Sequence, residues 1–295
     1  MLRFDCHTGS HDQLSELTSG FHEHGLLHLQ GAFPVSLIDS LAAHYFDFYH
    51  PRIHVGDFPY RIASLGSGRT HVTLELHKHW HDPAFYANTW LYSFVRHVLG
   101  PDFTLPTFAV AVSEPGASAQ YIHRDQPWLF DDPAIERQLP ASSITVSVPL
   151  VDLDQQIGST EFQPGSHHPR NAADMAARRP VSGIDFTPVL AQRGDCILWD
   201  SRLIHRGMPN RSLRTRPIVL MYYQKPWFFN HVNFDPGVIM PFTQAAWQRI
   251  PERYRHVFTV IEKLFPRPEF NGSFGQPCPC GGPLSFETCH GHSES

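Results

Sequence analysis

The sequence predicts a mainly β fold with flanking helices, a sandwich or barrel, on three observations. The 295 residues include 26 prolines and 20 glycines, a density of turn formers that suits short strands rather than a helical bundle. Segments of alternating bulk, rich in β-branched residues, recur from about residue 105 to residue 228. The segments read as helices, with apolar residues at helical spacing, fall in the first hundred positions. Many short strands separated by turn signals are what a closed or two-layered β architecture requires.

Taken in order, HGLLHLQGAF within residues 11–50 is a short apolar segment expected as an edge strand. PVSLIDSLAAHYFDFYH follows, with Leu37, Leu41, Tyr45 and Phe48 on one helical face and Pro34 at the start, where helices favour it. A second helix is expected over 84–99, stopped by Gly100-Pro101. TFAVAVSEPG ends in a Pro-Gly turn, and SITVSVPLVDL at 143–153 alternates strongly. TPVLAQRGDCILWDSRLIHRG reads as strand, tight turn at Gly194-Asp195, and strand. RPIVLMYYQKPWF supplies a further strand, and after about residue 265 a Pro/Gly-rich linker leads to a cysteine cluster. The expected division is therefore a large β domain over 1–265 and a small tail over 266–295.

Composition narrows the function. Hydrophobic residues make up 41% and charged residues 17%, as in an ordinary soluble domain. The net charge of −5 argues against a broad electrostatic footprint on nucleic acid. No apolar run is long enough to span a bilayer. The opening MLRFDCHTGSHDQ lacks a basic stretch followed by an apolar one, so a cytoplasmic location is expected.

Chemistry concentrates in His123-Arg124-Asp125, answered about eighty residues later by His205 and then Arg216. Two imidazoles and one carboxylate are the ligand set that leaves three faces of an octahedral iron(II) open. On a strand, His123 and Asp125 would share a face while Arg124 points away. His205 would come from a strand distant in sequence but adjacent in space. The bound ion would keep one net positive charge, suited to an anionic chelating co-substrate and then O2. An arginine after the second histidine can clamp that co-substrate's carboxylate with a two-pronged guanidinium. The expected activity is that of a non-haem iron oxygenase consuming O2 and 2-oxoglutarate. Arg214 competes with Arg216 for the clamp, since two residues apart on a strand they would face the same side. Gln120 and Tyr121 precede the motif and are expected to line the same cavity, Gln120 against the co-substrate or substrate.

GSTEFQPGSHHP at 158–169 and RGDCILWDSRLIHRGMPNRSLRTR at 193–216 flank these residues. With them, the chain closely resembles the phytanoyl-CoA dioxygenase family of iron(II)/2-oxoglutarate oxygenases over roughly 15–235. The family's segments appear as Gly158 to His167, as Gly194-Asp195 with Trp199, and as His205, Asn210 and Arg216. The resemblance implies a double-stranded β-helix (a cupin-like jelly roll), iron held by His123, Asp125 and His205, and 2-oxoglutarate held by Arg216, whose spacing the family favours over Arg214. It also makes Thr160 a second donor to the co-substrate. Halogenating relatives replace the aspartate with a small residue, so a retained Asp125 favours hydroxylation, or a related desaturation or ring closure, with release of succinate and CO2. The family does not fix the substrate. Trp128, Phe130 and Trp227 are candidates for an apolar pocket over the metal, whereas Lys225 and Arg124 read as surface charges. The absence of a basic cluster for CoA phosphates points to a small-molecule substrate.

Two further histidine and cysteine groups need weighing. His77, His79 and His81 have a cupin-like spacing but no glutamate at the required distance, so a surface loop is expected. Cys278, Cys280, Cys289 and His290 form a C-x-C-x8-C-H pattern. Three thiolates and an imidazole make a closed tetrahedral zinc site, and metal is what could fold so short a segment. The pattern resembles the SEC-C module over 276–291, although GGPLSFET replaces that module's lysine-rich stretch. Such a tail could contact a protein partner. In the competing reading the whole chain is a non-catalytic binding or adaptor protein on an oxygenase scaffold; an intact ligand set and arginine speak against it.

Overall fold

The computed structural model describes residues 2–53, 62–76, 78–176, 179–228, 230 and 244–259. Cys278, Cys280, Cys289 and His290 of the expected zinc tail, the linker before them, and His77 lie outside the described residues. Eleven strands are described: β1 (Leu2–Asp5), β2 (Leu26–Gln30), β3 (Ile62–Gly66), β4 (Arg69–Thr73), β5 (Thr104–Ser113), β6 (Ser143–Pro149), β7 (Thr160–Phe162), β8 (Thr187–Val189), β9 (Cys196–Asp200), β10 (His205–Gly207) and β11 (Arg216–Gln224). They form an eight-stranded sheet in the order β1-β2-β9-β6-β11-β5-β4-β3 and a three-stranded sheet in the order β10-β7-β8. Every pairing is antiparallel except β1 with β2. A large and a small sheet facing each other are the jelly-roll core that the sequence predicts.

Alternation along the strands builds the two layers, because successive side chains leave opposite faces of a sheet. On the large sheet Ile144, Val146 and Val148 of β6, Cys196 and Leu198 of β9, and Val219, Met221 and Tyr223 of β11 enter one apolar cluster. That cluster also takes Leu17 and Phe21 of helix α1 (Leu14–His24), Ile38 and Leu41 of α2 (Val35–His44), and Leu91, Phe94, Val95 and Leu99 of α3 (Thr89–Leu99). The intervening residues point the other way. Ile197 and Trp199 of β9 and Ile218 of β11 join Phe162 and Val189 of the small sheet in a second, inner cluster. Helices therefore cover the outer face of the large sheet, and the space between the sheets holds the site.

Three local expectations are corrected. Residues Leu26–Gln30 form an interior strand between β1 and β9, because the N-terminal Leu2–Asp5 pairs outside it. The helix expected over 84–99 is two: a single turn, Pro83–Tyr86, and α3. Asn88 divides them, since its side-chain oxygen accepts from the amides of Trp90 (3.1 Å) and Leu91 (3.3 Å), a strong N-cap. The strands on either side of Gly194-Asp195 do not form a hairpin but belong to different sheets. The Asp195 carboxylate accepts from Gly31 N (2.9 Å) and Gln192 N (2.9 Å) and bonds His28 Nε2 (2.9 Å). It thereby fastens the turn to β2. Of the histidine-rich segment, His79 and His81 lie on a short helical turn, bonded to Ser40 Oγ (3.1 Å) and Ala246 O (2.8 Å).

Candidate metal centre

His123 is not on a regular strand. It meets His205, the first residue of β10, in an isolated antiparallel bridge, His123 N to His205 O 3.1 Å and His205 N to His123 O 3.0 Å. The amides of Asp125 (2.8 Å) and Gln126 (3.1 Å) then donate to Ser201 O, so the whole HxD turn is tied to the β9–β10 connection. The result is the expected convergence reached by a different backbone: His123, Asp125 and His205 each offer a ligand atom within 4.8 Å of the others. Asp125 Oδ1 lies 3.7 Å from His123 Nε2 and 3.5 Å from His205 Nε2. Among the described residues this is the one such group of three or more.

The protonation states suit a cation. His123 Nδ1 is 2.9 Å from Tyr121 O and His205 Nδ1 is 3.0 Å from Leu203 O. A carbonyl can only accept, so each Nδ1 carries the proton and each Nε2 presents its lone pair to the shared space. Burial pushes the His205 imidazole well below its usual range, which keeps it neutral. Asp125 Oδ2 turns the other way and accepts from Thr145 Oγ1 (2.8 Å) and Trp199 Nε1 (2.9 Å). Asn230 Nδ2 donates to the Asp125 carbonyl (2.8 Å). Two imidazoles and a carboxylate held this way fit a divalent transition metal with three open positions.

A cationic recess adjoins the triad. Arg216 opens β11 and is 3% exposed; its Nη1 donates to Ser159 O (3.2 Å), and its buried Nε has no hydrogen-bond partner among the described residues. Burial, and then the neighbouring Arg69, push its guanidinium down to about 9. Arg214 does not compete: β11 begins at Arg216, so Arg214 precedes the strand, exposed and paired with Asp154 at 3.3 Å. Arg69, unremarked in the sequence, is the second cation. Ser113 pairs with Arg69 on one side and Arg216 on the other, which sets both arginines in one row across the large sheet. Arg69 is also buried, which pushes it down to about 10, and donates to Ser118 O (2.7 Å) and Met208 O.

The small sheet closes this recess. Thr160 pairs with Gly207, and Gln120 Oε1 accepts from Gly207 N (2.9 Å). A Cβ at Gly207 would come within 2.6 Å of Gln120 Oε1 and 2.8 Å of Arg69 Nη1, so the glycine lets the sheets approach here. Gly158 serves the same turn with φ +79°, and a Cβ there would press to 2.4 Å from Pro209 O. Asn210 binds the incoming loop, donating to Ser113 O (2.9 Å) and Arg214 O (2.7 Å).

The substrate-side expectations divide. Trp128 is half-buried, its Nε1 bonded to Met175 O (2.7 Å), with the Arg124 guanidinium 4.6 Å from its ring centre. Phe130 (48% exposed) and Trp227 (65% exposed) stand at the surface. Arg124 and Lys225 are not simple surface charges. Arg124 Nη2 donates to Asp174 O (2.8 Å) and Lys225 Nζ to Leu99 O (2.9 Å), and burial lowers the pKa of both.

Comparison with known proteins agrees with this architecture. The sequence profile of phytanoyl-CoA dioxygenase (PhyH) matches residues 21–218, and the chain belongs to that family. Dioxygenase trt7 of Aspergillus terreus is 30% identical over 170 residues, 53% of this chain and 56% of that protein. The chain spans about half the length of the curated relatives it matches. Among solved structures, the non-haem α-ketoglutarate-dependent epimerase SnoN from nogalamycin biosynthesis superposes with a TM-score of 0.57 at 18% identity, covering 73% of this chain and 82% of its own. HygX from Streptomyces hygroscopicus, solved with nickel, 2-oxoglutarate and hygromycin B, gives 0.54 at 16% identity, covering 75% and 90%. At these identities the two structures establish the shared fold. Among the described residues no helix is long and apolar enough to cross a membrane.

Proposed function

We propose that the protein is an iron(II)- and 2-oxoglutarate-dependent dioxygenase that hydroxylates, desaturates or cyclises a small molecule. The observation that carries this reading is a two-histidine, one-carboxylate triad with two neighbouring buried arginines, Arg216 and Arg69, of which Arg69 reaches Gly207, two residues from His205 on β10. His123, Asp125 and His205 would hold the iron through Nε2, Oδ1 and Nε2. Arg216, with Arg69 behind it, would receive the far carboxylate of 2-oxoglutarate, and Thr160 and Gln120 would border it. When bound, the iron would supply O2 activation: one oxygen atom ends in succinate as 2-oxoglutarate loses CO2, and the other goes to the substrate on hydroxylation or leaves as water with two substrate hydrogens on desaturation or ring closure. The chain's own part is to orient the co-substrate, exclude water and hold both imidazoles with Nε2 toward the shared space. Family membership supports the activity, and the small-molecule settings of SnoN (nogalamycin biosynthesis) and HygX (bound hygromycin B) support the substrate class. Trp128, Phe130 and Trp227 are the residues we assign to the substrate side.

The test is anaerobic addition of iron(II) and 2-oxoglutarate, which should produce the weak visible charge-transfer band of a metal chelate, followed by succinate release on admitting O2. No band and no succinate would reject the reading. For the tail, we propose that Cys278, Cys280, Cys289 and His290 bind zinc. Cys289→Ser should then release zinc, measured by a chromogenic chelator, and spare turnover; unfolding of the whole chain would show that the tail is not a separate module.

A further inference from the structure

The carboxylate of Asp125 has two unequal oxygens. Oδ1 faces both imidazole Nε2 atoms. Oδ2 takes two protein donors, the Thr145 hydroxyl from β6 and the Trp199 indole from β9. The Thr145 hydroxyl in turn lies 3.0 Å from Ser201 Oγ. Since Thr145 gives its proton to Asp125, Ser201 must give its own to Thr145, and the donors run one way along Ser201, Thr145 and Asp125. The backbone beneath cannot adjust, because the amide of Asp125 and the residue after it are fixed to Ser201 O. Only rotation of the carboxylate could bring Oδ2 toward a metal, and it would strand an indole N–H that is buried with Trp199 at 3% exposure.

We propose that Trp199 and Thr145 are positioning residues that hold Asp125 to coordination through Oδ1 alone, leaving a third open metal position that a two-oxygen carboxylate would occupy. This rests on the metal site proposed above. Both donors also draw electron density from the carboxylate, so they set how strongly it donates to the ion. Neither residue touches co-substrate or substrate in this role, and both act through Asp125.

The experiment compares Trp199→Phe, Thr145→Val and Thr145→Ser with the unaltered full-length chain. Manganese(II) affinity is read by electron paramagnetic resonance titration, and the anaerobic iron(II)/2-oxoglutarate band by absorption. Trp199→Phe and Thr145→Val should each weaken metal binding about 10-fold, because the carboxylate is no longer held in its binding orientation, and should move the band to longer wavelength, because the carboxylate that does bind has lost a donor and enriches the ion. Thr145→Ser keeps the hydroxyl and should return both readouts to near the unaltered values. Unchanged affinity and band in both loss variants would overturn the proposal, as would a fall in melting temperature alone, which marks a merely structural role. Should Trp199→Phe fail to fold, the Thr145 pair decides by itself. If the unaltered chain binds no manganese, the metal site falls first and this inference with it.

Discussion

The triad and the arginine recess lie side by side between the sheets, yet they are finished to different degrees. At the triad both imidazole Nδ1 atoms and the outward carboxylate oxygen have partners within 3.0 Å. At the recess two guanidinium groups are buried near one another, and Arg216 Nε has no partner among the described residues. Burying like charges without an anion is costly. The difference separates a part whose polar groups are already satisfied from a part that presents buried positive charge. A dianionic co-substrate would supply the missing charge and link the two.

The largest effect should come from breaking the finished half. Asp125→Ala removes the one anionic ligand, and succinate formation should drop to background, with manganese binding lost; full activity would reject the ligand assignment. Next comes the unfinished half. Arg216→Ala should raise the 2-oxoglutarate KM roughly 10- to 100-fold, the range expected for charge-assisted hydrogen bonds, while metal affinity without co-substrate stays unchanged. Arg216→Lys should recover only part of this, since an ammonium lacks the planar fork. An unchanged chelate band in Arg216→Ala would instead favour a metal protein that does not use 2-oxoglutarate.

A third test asks whether unsatisfied burial also governs pH dependence. His167, in the segment that follows the small sheet's central strand, is held at about 4 by burial, and its Nδ1 has no partner among the described residues. An unfolded histidine titrates near 6.5. Between those values the unfolded chain binds the proton and the folded chain does not, so this contribution is complete above about 6.5 and fades as pH falls toward 4. The loss should be on the order of 2–3 kcal/mol. It would appear as a falling melting temperature of the metal-free protein, less steep in His167→Gln. The smallest effect is expected at the border of the recess: Thr160→Val should raise the 2-oxoglutarate KM by less than about 10-fold, one neutral hydrogen bond. A larger rise would move Thr160 from the border to the clamp.

The triad was legible in the sequence because its residues are chemically rare in combination and fixed in order, although the backbone that delivers them was not. His123 reaches the site by a single bridge to His205 rather than along a strand. Arg69 was not legible, since one arginine at the start of an alternating segment looks like any other. Only the register that pairs both Arg69 and Arg216 with Ser113 puts it in the recess. Arg214 and Arg216 could not be separated by facing because that comparison assumed a strand beginning before residue 216. Asp195 looked like a turn former, and its ties to β2 are long-range. In each case local pattern gave the element, and non-local pairing gave its neighbour.

The excursion between Gln126 and Ser142 is cinched at its neck, where the Gln126 side-chain amide bonds the hydroxyls of both Ser142 and Ser143. Trp128 and Phe130 ride on that excursion, while Asp125 of the triad sits just outside the knot. A second tie runs inward, since the buried Arg202, next to Ser201, donates to Glu136 O (3.4 Å) and Leu139 O (3.2 Å), so a grafted loop must keep both acceptors in place. A chimaera that respects both ties exchanges Trp128 and Phe130 without loosening the hold on Asp125.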